Sequence, residues 1–495
     1  MALIRRVATV SSWTLVSRIL GLVRDRLLAG AFGGSLLLSA FLVAFQLPNL
    51  LRNLFGEGAL AAAFIPRYVR QREQDPAAGE AFAGLVLTRL CCGLGLLAGL
   101  GMALAAGIAA WGAPDWALIA ALAIPQLPYL VFICASAIMA GALHGRRHFA
   151  TPAAAPVLLN VVLIVVLLID ADIWILPYAI LGIGILQAAV HLLALARTGG
   201  VPRLAWRRTP ALHELWRAFL PTVLATGVYQ LNALLDSLIA FVLVPGAGAV
   251  TYLYFGNRLL QFPMALIGHG VHTAIYPELA SAANADADGP WRQTGDRLRQ
   301  GTALVAGLLL PATVGLVICA EPLVATLYGT GAFDATDIAR TVLVTQCFAL
   351  SLVPISLSKL AVKAFHSHQD QRTPLRIGLA TVAGNLLLNL ILVQTPLQEA
   401  GLALASGISG LAGVGVYFLL LHWRGTGALL PRGALIHFGL ASLTMGAGVW
   451  SLDQWLFKDL PAWQRLGLGV TIGTACYIVL AGLALRNCYR RARPG

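Results

Sequence analysis

Long apolar segments separated by short polar stretches recur along the whole chain. Several of them, such as Leu90 to Ala110, run for 20 or more residues without a charge. A helix of about 20 apolar residues is long enough to cross the roughly 30 Å hydrocarbon core of a bilayer. The pattern predicts an all-α polytopic membrane protein.

Fourteen segments of this kind predict about fourteen transmembrane helices. They cover residues 8–33, 36–66, 80–110, 116–143, 153–169, 174–196, 213–245, 248–278, 300–320, 338–366, 374–395, 399–423, 433–451 and 463–486. The longest polar connection, from Arg197 to Trp216, follows the sixth. We therefore expect a lobe of helices 1–6 at 1–200, a lobe of helices 7–12 at 211–425, and two extra helices at 430–490.

The second helix of each six-helix block carries a similar pattern, which predicts an internal repeat. Gly56-Glu57-Gly58 precedes Pro66 in one block, and Gly268-His269-Gly270 precedes Pro277 in the other. Because six is even, both blocks share one orientation. A parallel repeat about an axis normal to the membrane follows, with a central cavity between the lobes.

Composition and charge agree with a membrane protein and give its orientation. Hydrophobic residues make up 58% of the chain and charged residues 11%, against about 25% charged in soluble domains. With the N-terminus inside, 24 basic residues fall in cytoplasmic segments and three in outer segments. The positive-inside rule then places both termini in the cytoplasm. The net charge of +13 faces anionic lipid heads of the bilayer, so it requires no nucleic acid.

Ionisable residues deep within apolar segments are the candidates for function. A charge at the centre of a membrane helix costs about 2.5–3.5 kcal/mol, so these side chains must face protein or water. Five arginines outnumber three acids at depth, which favours a cationic cavity for an anion over local pairing, and the arginine fork suits phosphate. The residues are Arg18, Arg24, Arg26, Arg52 and Arg258, with Asp25, Glu57 and Asp236 as the acids.

Two local features support such a cavity. Arg18 and Asp25 are seven residues apart and therefore share a helix face with Gly21, which would let a neighbour or substrate approach the backbone. Pro48 lies one turn before Arg52, and a proline also follows Arg258, so both helices are expected to kink.

A second polar set predicts a site for a monovalent cation. Asn232 and Asp236 are four residues apart on one helix, and Asn385 and Asn389 are four apart on another. Their oxygens are ligands that Na⁺ prefers. Two alternatives stay open: hydrogen bonds between helices worth about 0.6–2 kcal/mol, and protonation of Asp236. No nucleophile, phosphate-loop or zinc motif is present, so we expect a transporter and no enzyme.

Several motifs resemble those of the lipid II flippase family MurJ, also called MviN. The helix 1 stretch at 17–25 reads SRILGLVRD, and the helix 2 stretch at 44–52 reads AFQLPNLLR and continues through GEGA to FIP at 64–66. The helix 8 stretch at 257–263 reads NRLLQFP, and a later loop at 369–374 reads QDQRTP. The resemblance covers the first twelve helices in order, and the extra two also fit the family.

The resemblance implies a member of the multidrug/oligosaccharidyl-lipid/polysaccharide exporter superfamily. It would move lipid II, an undecaprenyl-pyrophosphate-linked peptidoglycan precursor, from the inner to the outer leaflet by alternating access for cell-wall synthesis. It also implies that some relatives bind sodium at the Asp236 set. The family's cavity arginines match Arg18, Arg24, Arg52 and Arg258, and Asn49 lies in the helix 2 motif. Three positions vary from many or some relatives: Ser39 for aspartate, Gln46 for lysine and Gln261 for glutamate.

These observations predict a monomeric, multi-pass flippase in the bacterial cytoplasmic membrane. An O-antigen or capsule lipid-oligosaccharide flippase is the same-fold alternative. A cation-coupled multidrug antiporter is a different class, which should show acidic cavity residues. If the deep arginines lack protein partners, alanine at Arg24, Arg52 or Arg258 should abolish transport while leaving stability unchanged or improved.

Overall fold

The computed structural model describes residues 2–56, 59–207, 209–287 and 289–491, and within these ranges the regular structure is helical throughout. A 3₁₀ turn covers Ile124–Gln126, and π turns cover Met264–Gly268 and Asp453–Phe457. The helices are α1 (Ala2–Phe32), α2 (Leu36–Gly56), α3 (Ala59–Gln74), α4 (Pro76–Trp111), α5 (Pro114–Ala123), α6 (Tyr129–Gly145), α7 (Ala150–Ile169), α8 (Ile175–Arg197), α9 (Pro210–Leu243), α10 (Ala249–Pro263), α11 (His269–Ala285), α12 (Arg292–Ile318), α13 (Ala320–Tyr328), α14 (Ala335–Ala349), α15 (Leu352–Ser367), α16 (Arg372–Leu392), α17 (Glu399–Trp423), α18 (Arg432–Leu452) and α19 (Ala462–Arg491).

Ten helical segments in the described ranges are long and apolar enough to cross a membrane, or eleven when a bent pair is counted as one span. This confirms the prediction of an all-helical, multi-pass membrane protein. Each of the fourteen predicted segments lies on one or more of the helices. Helices α10 and α11 do not qualify as spans singly because they hold 15 and 17 residues and a π turn separates them.

Prolines mark the places where predicted continuous helices are interrupted. The segment predicted at 116–143 bends by 41° between α5 and α6, where Pro125 and Pro128 lie. The segment predicted at 248–278 changes to a π turn directly after Pro263. Proline has no amide hydrogen and clashes with the preceding turn, so each break falls where the α-helical ladder cannot continue. The expected kink after Arg258 therefore takes the form of a π turn.

The chain divides into two compact units, Met1–Leu238 and Ile239–Gly495. Unit 1 contains α1 to α8 and most of α9. Its largest core cluster joins α3, α4 and α6, where the Phe64 ring stacks on Tyr68 at 5.4 Å and on Phe82 at 5.7 Å between centroids. A second contact packs α1 against α7, and this contact carries the arginine site described below.

Unit 2 is built around α11, α12, α15 and α17. Leu279, Leu360 and Phe365 are fully or almost fully buried there. The last two long helices, α18 and α19, pack on α12 through Phe438 and Tyr477, and the Tyr477 hydroxyl donates to the Gly307 carbonyl. Packing of this kind attaches the C-terminal pair firmly to unit 2.

One turn has the same backbone in both units. The turn after α6 contains Arg147 and the turn after α15 contains Gln369, and each of these residues has a φ of 60°. In each turn the following amide donates to the carbonyl five residues before it. A Thr-Pro dipeptide then occurs at the start of the next helix, at 151–152 and at 373–374.

A close contact between a helix glycine and a later connection also occurs in both units. A Cβ placed on Gly84 of α4 would lie 1.8 Å from the Arg203 carbonyl oxygen. A Cβ placed on Gly295 of α12 would lie 2.0 Å from the Thr426 carbonyl oxygen. Only glycine allows backbone to approach so closely, so these two positions hold the connections that follow α8 and α17 against their units.

Candidate functional site

The interior of unit 1 holds a buried ion pair on α1. The Arg24 guanidinium donates to Asp25 Oδ1 from Nε at 3.0 Å and from Nη2 at 2.6 Å. Its Nη1 donates to Asn160 Oδ1 at 3.0 Å. Arg24 is 8% exposed and Asp25 2% exposed. Adjacent residues thus neutralise each other, so Arg24 is one of the deep arginines that local pairing accounts for.

Asn160 of α7 fixes this pair, and the sequence analysis missed it. Its Nδ2 donates to the Ser17 carbonyl of α1 at 2.9 Å, while its Oδ1 accepts from Arg24. The side chain is 5% exposed. A single asparagine within the apolar run of α7 was the available signal, because a polar side chain in a membrane helix usually bonds to a neighbouring helix.

Arg18 and Asp25 have different surroundings, although their spacing predicts one helix face. The Arg18 side chain is exposed, whereas Asp25 is buried. Two helical turns, about 10 Å, separate them, so the neighbours that cover one do not cover the other. A Cβ on Gly21 would meet the Asn160 amide at 3.9 Å, an ordinary contact. No described neighbour therefore approaches Gly21 closely, and the approach of a substrate there stays a prediction.

Arg52 of α2 lies among amides. Its Nε donates to Asn49 Oδ1 and its Nη2 to Asn53 Oδ1, both at 3.1 Å. Asn53 in turn donates to Gln230 Oε1 of α9 at 3.3 Å. Helix α2 continues through the buried Pro48 as far as Gly56.

Two other predicted residues of this region have different outcomes. Ser39, in the first turn of α2, is buried at 1% exposure. Glu57 lies outside the described residues. The structure therefore assigns Ser39 to the packed interior of unit 1, away from bulk solvent.

Arg258 of unit 2 is fixed by an aromatic residue of its own helix. Its Nη2 donates to the Tyr254 hydroxyl at 3.0 Å, and the guanidinium carbon lies 4.9 Å from the centre of that ring. A longer contact of 3.4 Å joins Nη1 to Gln261 Oε1. Tyr254 lies one turn before Arg258, a spacing at which side chains meet on a helix, and it was not among the predicted site residues.

These hydrogen bonds hold the guanidinium groups of Arg52 and Arg258 in fixed orientations. Asparagine, glutamine and tyrosine offer neutral acceptors, whereas Asp25 offers Arg24 a negative charge. A guanidinium carries five N–H donors, and an anion is the acceptor that strengthens such bonds most. The geometry suits Arg52 and Arg258 to binding an anionic group.

The residues predicted to bind a cation form two hydrogen-bonded pairs, one in each unit. In unit 1, Asn232 Nδ2 donates to Asp236 Oδ2 at 3.3 Å. In unit 2, Asn389 Nδ2 donates to Asn385 Oδ1 at 3.1 Å, and Asn385 Nδ2 donates to Ser409 Oγ of α17 at 3.2 Å. The second set links α16 to α17, which is the hydrogen-bonding role that the sequence left open. The cation site itself stays a prediction.

The loop between α15 and α16, which carries the QDQRTP sequence, has a structural function. Asp370 accepts bonds from the Thr373 amide at 3.0 Å and the Thr373 hydroxyl at 2.7 Å, and it pairs with Arg424 at 3.6 Å. Burial disfavours the charged carboxylate, but the Thr373 bonds and the Arg424 charge outweigh it and lower the pKa of Asp370. The carboxylate therefore holds the first turn of α16 in place.

The described residues contain no group of three or more His, Cys, Asp or Glu side chains arranged to hold a metal. The six cysteines whose side chains are described are free thiols. His272 is buried, and its Nε2 bonds to the Ser356 carbonyl at 3.0 Å.

Comparison with known proteins places these features in a family. The model of a family described as Lipid II flippase MurJ matches residues 28–463. The chain belongs to the lipid II flippase MurJ family. A MurJ relative from Burkholderia cenocepacia, named Lipid II flippase MurJ, is 33% identical over 86% of this chain and 85% of its own length. A protein from Rhizobium tropici, named Probable lipid II flippase MurJ, is 30% identical over 100% of this chain and 98% of its own.

Solved structures confirm that the fold is that of MurJ. A lipid II flippase MurJ in an inward closed conformation matches with a TM-score of 0.81 and 24% identity, over 97% of this chain and 99% of the other. An inward-facing multidrug resistance MATE transporter of the MOP superfamily matches with a TM-score of 0.66 and 17% identity, over 83% and 96%. The resemblance found in the sequence motifs is therefore confirmed at the level of the family.

Proposed function

We propose that this protein flips lipid II from the inner to the outer leaflet of the bacterial cytoplasmic membrane and so supplies cell-wall synthesis. The observation that carries the proposal is membership of the MurJ family across residues 28–463. The helical membrane fold agrees with a transporter and with a substrate that carries a lipid tail. Transport would proceed by alternating access, as in other transporters built from repeats.

Arginines supply the chemistry for the anionic part of this substrate. Arg52 and Arg258 would bind the pyrophosphate directly, because Asn49 and Tyr254 hold their guanidinium groups in fixed orientations. Arg18 is exposed and would add a further positive charge that attracts the same anionic group. Arg24 would act with Asp25 and Asn160 as a buried polar network that sets the position of α1. This division of roles among the four arginines follows from their different partners.

The layout that we propose is fourteen membrane spans in two parallel six-helix lobes, at 1–200 and 211–425, with two further helices at 430–490. The repeated turns at Arg147 and Gln369 support it, as do the two glycine contacts at Gly84 and Gly295. Both termini would lie in the cytoplasm, and the protein would act as a monomer.

Coupling to a cation is part of the proposal. Asp236 supplies a carboxylate, and its neighbour Asn232 and the pair Asn385–Asn389 supply amide oxygens, which suit Na⁺. Protonation of Asp236 is the competing scheme. Each predicts a different driving gradient, so one transport experiment distinguishes them.

The test is lipid II flipping by purified protein in sealed vesicles, followed with a fluorescent lipid II and a membrane-impermeant quencher. We expect transport by the parent protein, loss of transport in Arg52→Ala and Arg258→Ala, and normal transport in Arg376→Ala, an exposed arginine of α16.

Sodium and proton gradients are imposed separately, and Asp236→Asn should lose its response to the coupling ion. A lipid-linked O-antigen substrate forms the comparison arm. Transport of that substrate without lipid II transport would reject the proposal.

A further inference from the structure

Helix α15 carries a lysine at membrane depth that the proposed site does not use. Lys359 belongs to the apolar segment Ala335–Ser367. It lies eight residues before the Ser367 end, about 12 Å along the helix axis, so it is within the hydrocarbon layer. Its side chain is exposed. In the part of the chain that the structure describes, no hydrogen bond or ion pair engages its ammonium group.

The surroundings of Lys359 indicate water rather than lipid. Six at least partly exposed positions share one side of α15, and four of the six are polar or charged. They are Ile355, Ser358, Lys359, Val362, Lys363 and His366. On the neighbouring α16, by contrast, Thr381 is the only polar residue among the at least partly exposed positions between 377 and 391. A surface that faces lipid is expected to be apolar, as the exposed side of α16 is. The polar side of α15 is therefore expected to face an aqueous space.

Contacts with α11 engage Lys363, the next lysine on the same side of α15, and leave the Lys359 ammonium group accessible to a ligand. Lys363 Nζ donates to the His272 carbonyl at 2.9 Å and lies 5.0 Å from the centre of the Tyr276 ring. Ser356, on the other side of Lys359, bonds to the His272 ring at 3.1 Å. Helix α11 thus contacts α15 at Ser356 and at Lys363, on either side of Lys359. These contacts fix the position of Lys359 relative to α11.

We propose that Lys359 binds an oxyanion, a phosphate or a carboxylate, of the substrate as it moves along α15. The inference rests on the proposed flipping of a pyrophosphate-linked glycopeptide. Lys359, Lys363 and His366 form a column that leads from mid-membrane to the Ser367 end, the end that the basic residues assign to the cytoplasm. Lysine suits this task because its flexible ammonium offers a point charge without a fixed two-pronged geometry, so it can follow a moving anion.

The direct test uses the fact that the sequence holds three lysines, at 359, 363 and 458. Purified protein in lipid nanodiscs is treated with a water-soluble acylating reagent, and the modification of each lysine is followed by mass spectrometry. Inorganic diphosphate should slow acylation of Lys359 severalfold and leave Lys458, an exposed residue outside the helices, unchanged. A short acidic peptide in a parallel arm shows whether carboxylates act in the same way. Unchanged labelling of Lys359 in both arms, or no labelling at all, would overturn the proposal.

The transport test compares Lys359→Gln and Lys359→Arg, with Lys458→Gln as the matched control. We expect the glutamine variant to flip lipid II about tenfold more slowly at an unchanged melting temperature. The arginine variant should restore the rate, because it restores the charge. A glutamine variant that flips at the parent rate would reject a role in substrate binding. Diphosphate protection is measured without lipid II, so a parent protein that fails to flip lipid II would reject the proposed function and leave the anion site to be judged by labelling alone.

Discussion

Arg24, Asp25 and Asn160 form a network whose members depend on one another. The arginine donates to an acid and to an amide, and the amide donates onward to the Ser17 backbone. A buried polar network is stabilising only while every member keeps its partner. Its function in this protein is therefore inseparable from the packing of α1 on α7.

This network predicts that alanine at Arg24 destabilises the protein. The change would remove the guanidinium that bonds to the buried Asp25 carboxylate, and removing one partner of a buried pair costs about 3–5 kcal/mol. Asp25→Ala should cost a similar amount, whereas the double variant should lose less than the sum of the two. Thermal unfolding of the three purified variants measures this. Additive losses would show that the pair contributes nothing beyond its separate members.

At this scale the sequence identifies charges well and partners poorly. The rule that a charge in an apolar helix is costly selected Arg24 and Arg52, which the structure places among polar partners, and the same rule applied to Lys359 would have found it too. It could not show that Arg24 turns toward Asp25 while Arg18 is exposed. That difference depends on α7, which is distant in sequence and adjacent in space.

Two local constraints determine the form of single helices in this protein. One is a proline that interrupts backbone hydrogen bonding, and the other is a close contact that leaves no room for a side chain. The π turn after Pro263 divides α10 from α11, so Arg258 lies in α10, Gly268 in the π turn and Gly270 in α11. At Gly84 and Gly295 the constraint is space, since each glycine touches a carbonyl of a later connection. The proline determines where a helix is interrupted, and the two glycines determine how closely a later connection packs on a helix.

The glycine contacts predict a matched pair of destabilised variants. Gly84→Ala and Gly295→Ala would each force a carbonyl away by more than an ångström, and overpacking of this kind costs about 1–3 kcal/mol. Gly93→Ala on α4 and Gly315→Ala on α12 are the controls, because a Cβ there meets nothing within 4 Å. The controls should be neutral or gain about 0.5–1 kcal/mol from the better helix propensity of alanine. Equal melting temperatures for all four variants would show that the connections adapt freely.

Helix positions were predictable because hydrophobicity alone determines them in a membrane, and the predicted segment 399–423 coincides with α17. The breaks were harder to predict. Pro48 lies inside a continuous α2, whereas Pro263 is followed by a π turn, although both are prolines in apolar segments. The outcome depends on which neighbours satisfy the freed carbonyl, and a single sequence does not show these neighbours.

At the scale of the whole molecule, charge and repetition argue for one arrangement. By the positive-inside rule, the asymmetry of 24 basic residues against three predicts which loops remain in the cytoplasm. The repeated turn and glycine contact are independent of charge, yet they pair the turn after α6 with the turn after α15, six predicted spans apart. The two six-span blocks that we propose would agree with both observations, since an even number of crossings returns the chain to the side from which it began.

This arrangement predicts which loops an impermeant thiol reagent reaches on intact cells. In a background without the seven native cysteines, single cysteines at Pro245 and Asp459 should label from outside, and a cysteine at Leu204 should label only after permeabilisation. All three positions are exposed, and Leu204 is 78% exposed, so protection there cannot come from burial in the protein. Leu204 also lies in the connection that carries Arg203, Arg207 and Arg208, and in the proposed orientation the membrane potential and anionic lipids would hold these charges inside. Labelling of Leu204→Cys on intact cells would reverse the orientation, and with it the direction in which the column of Lys359, Lys363 and His366 leads an anion.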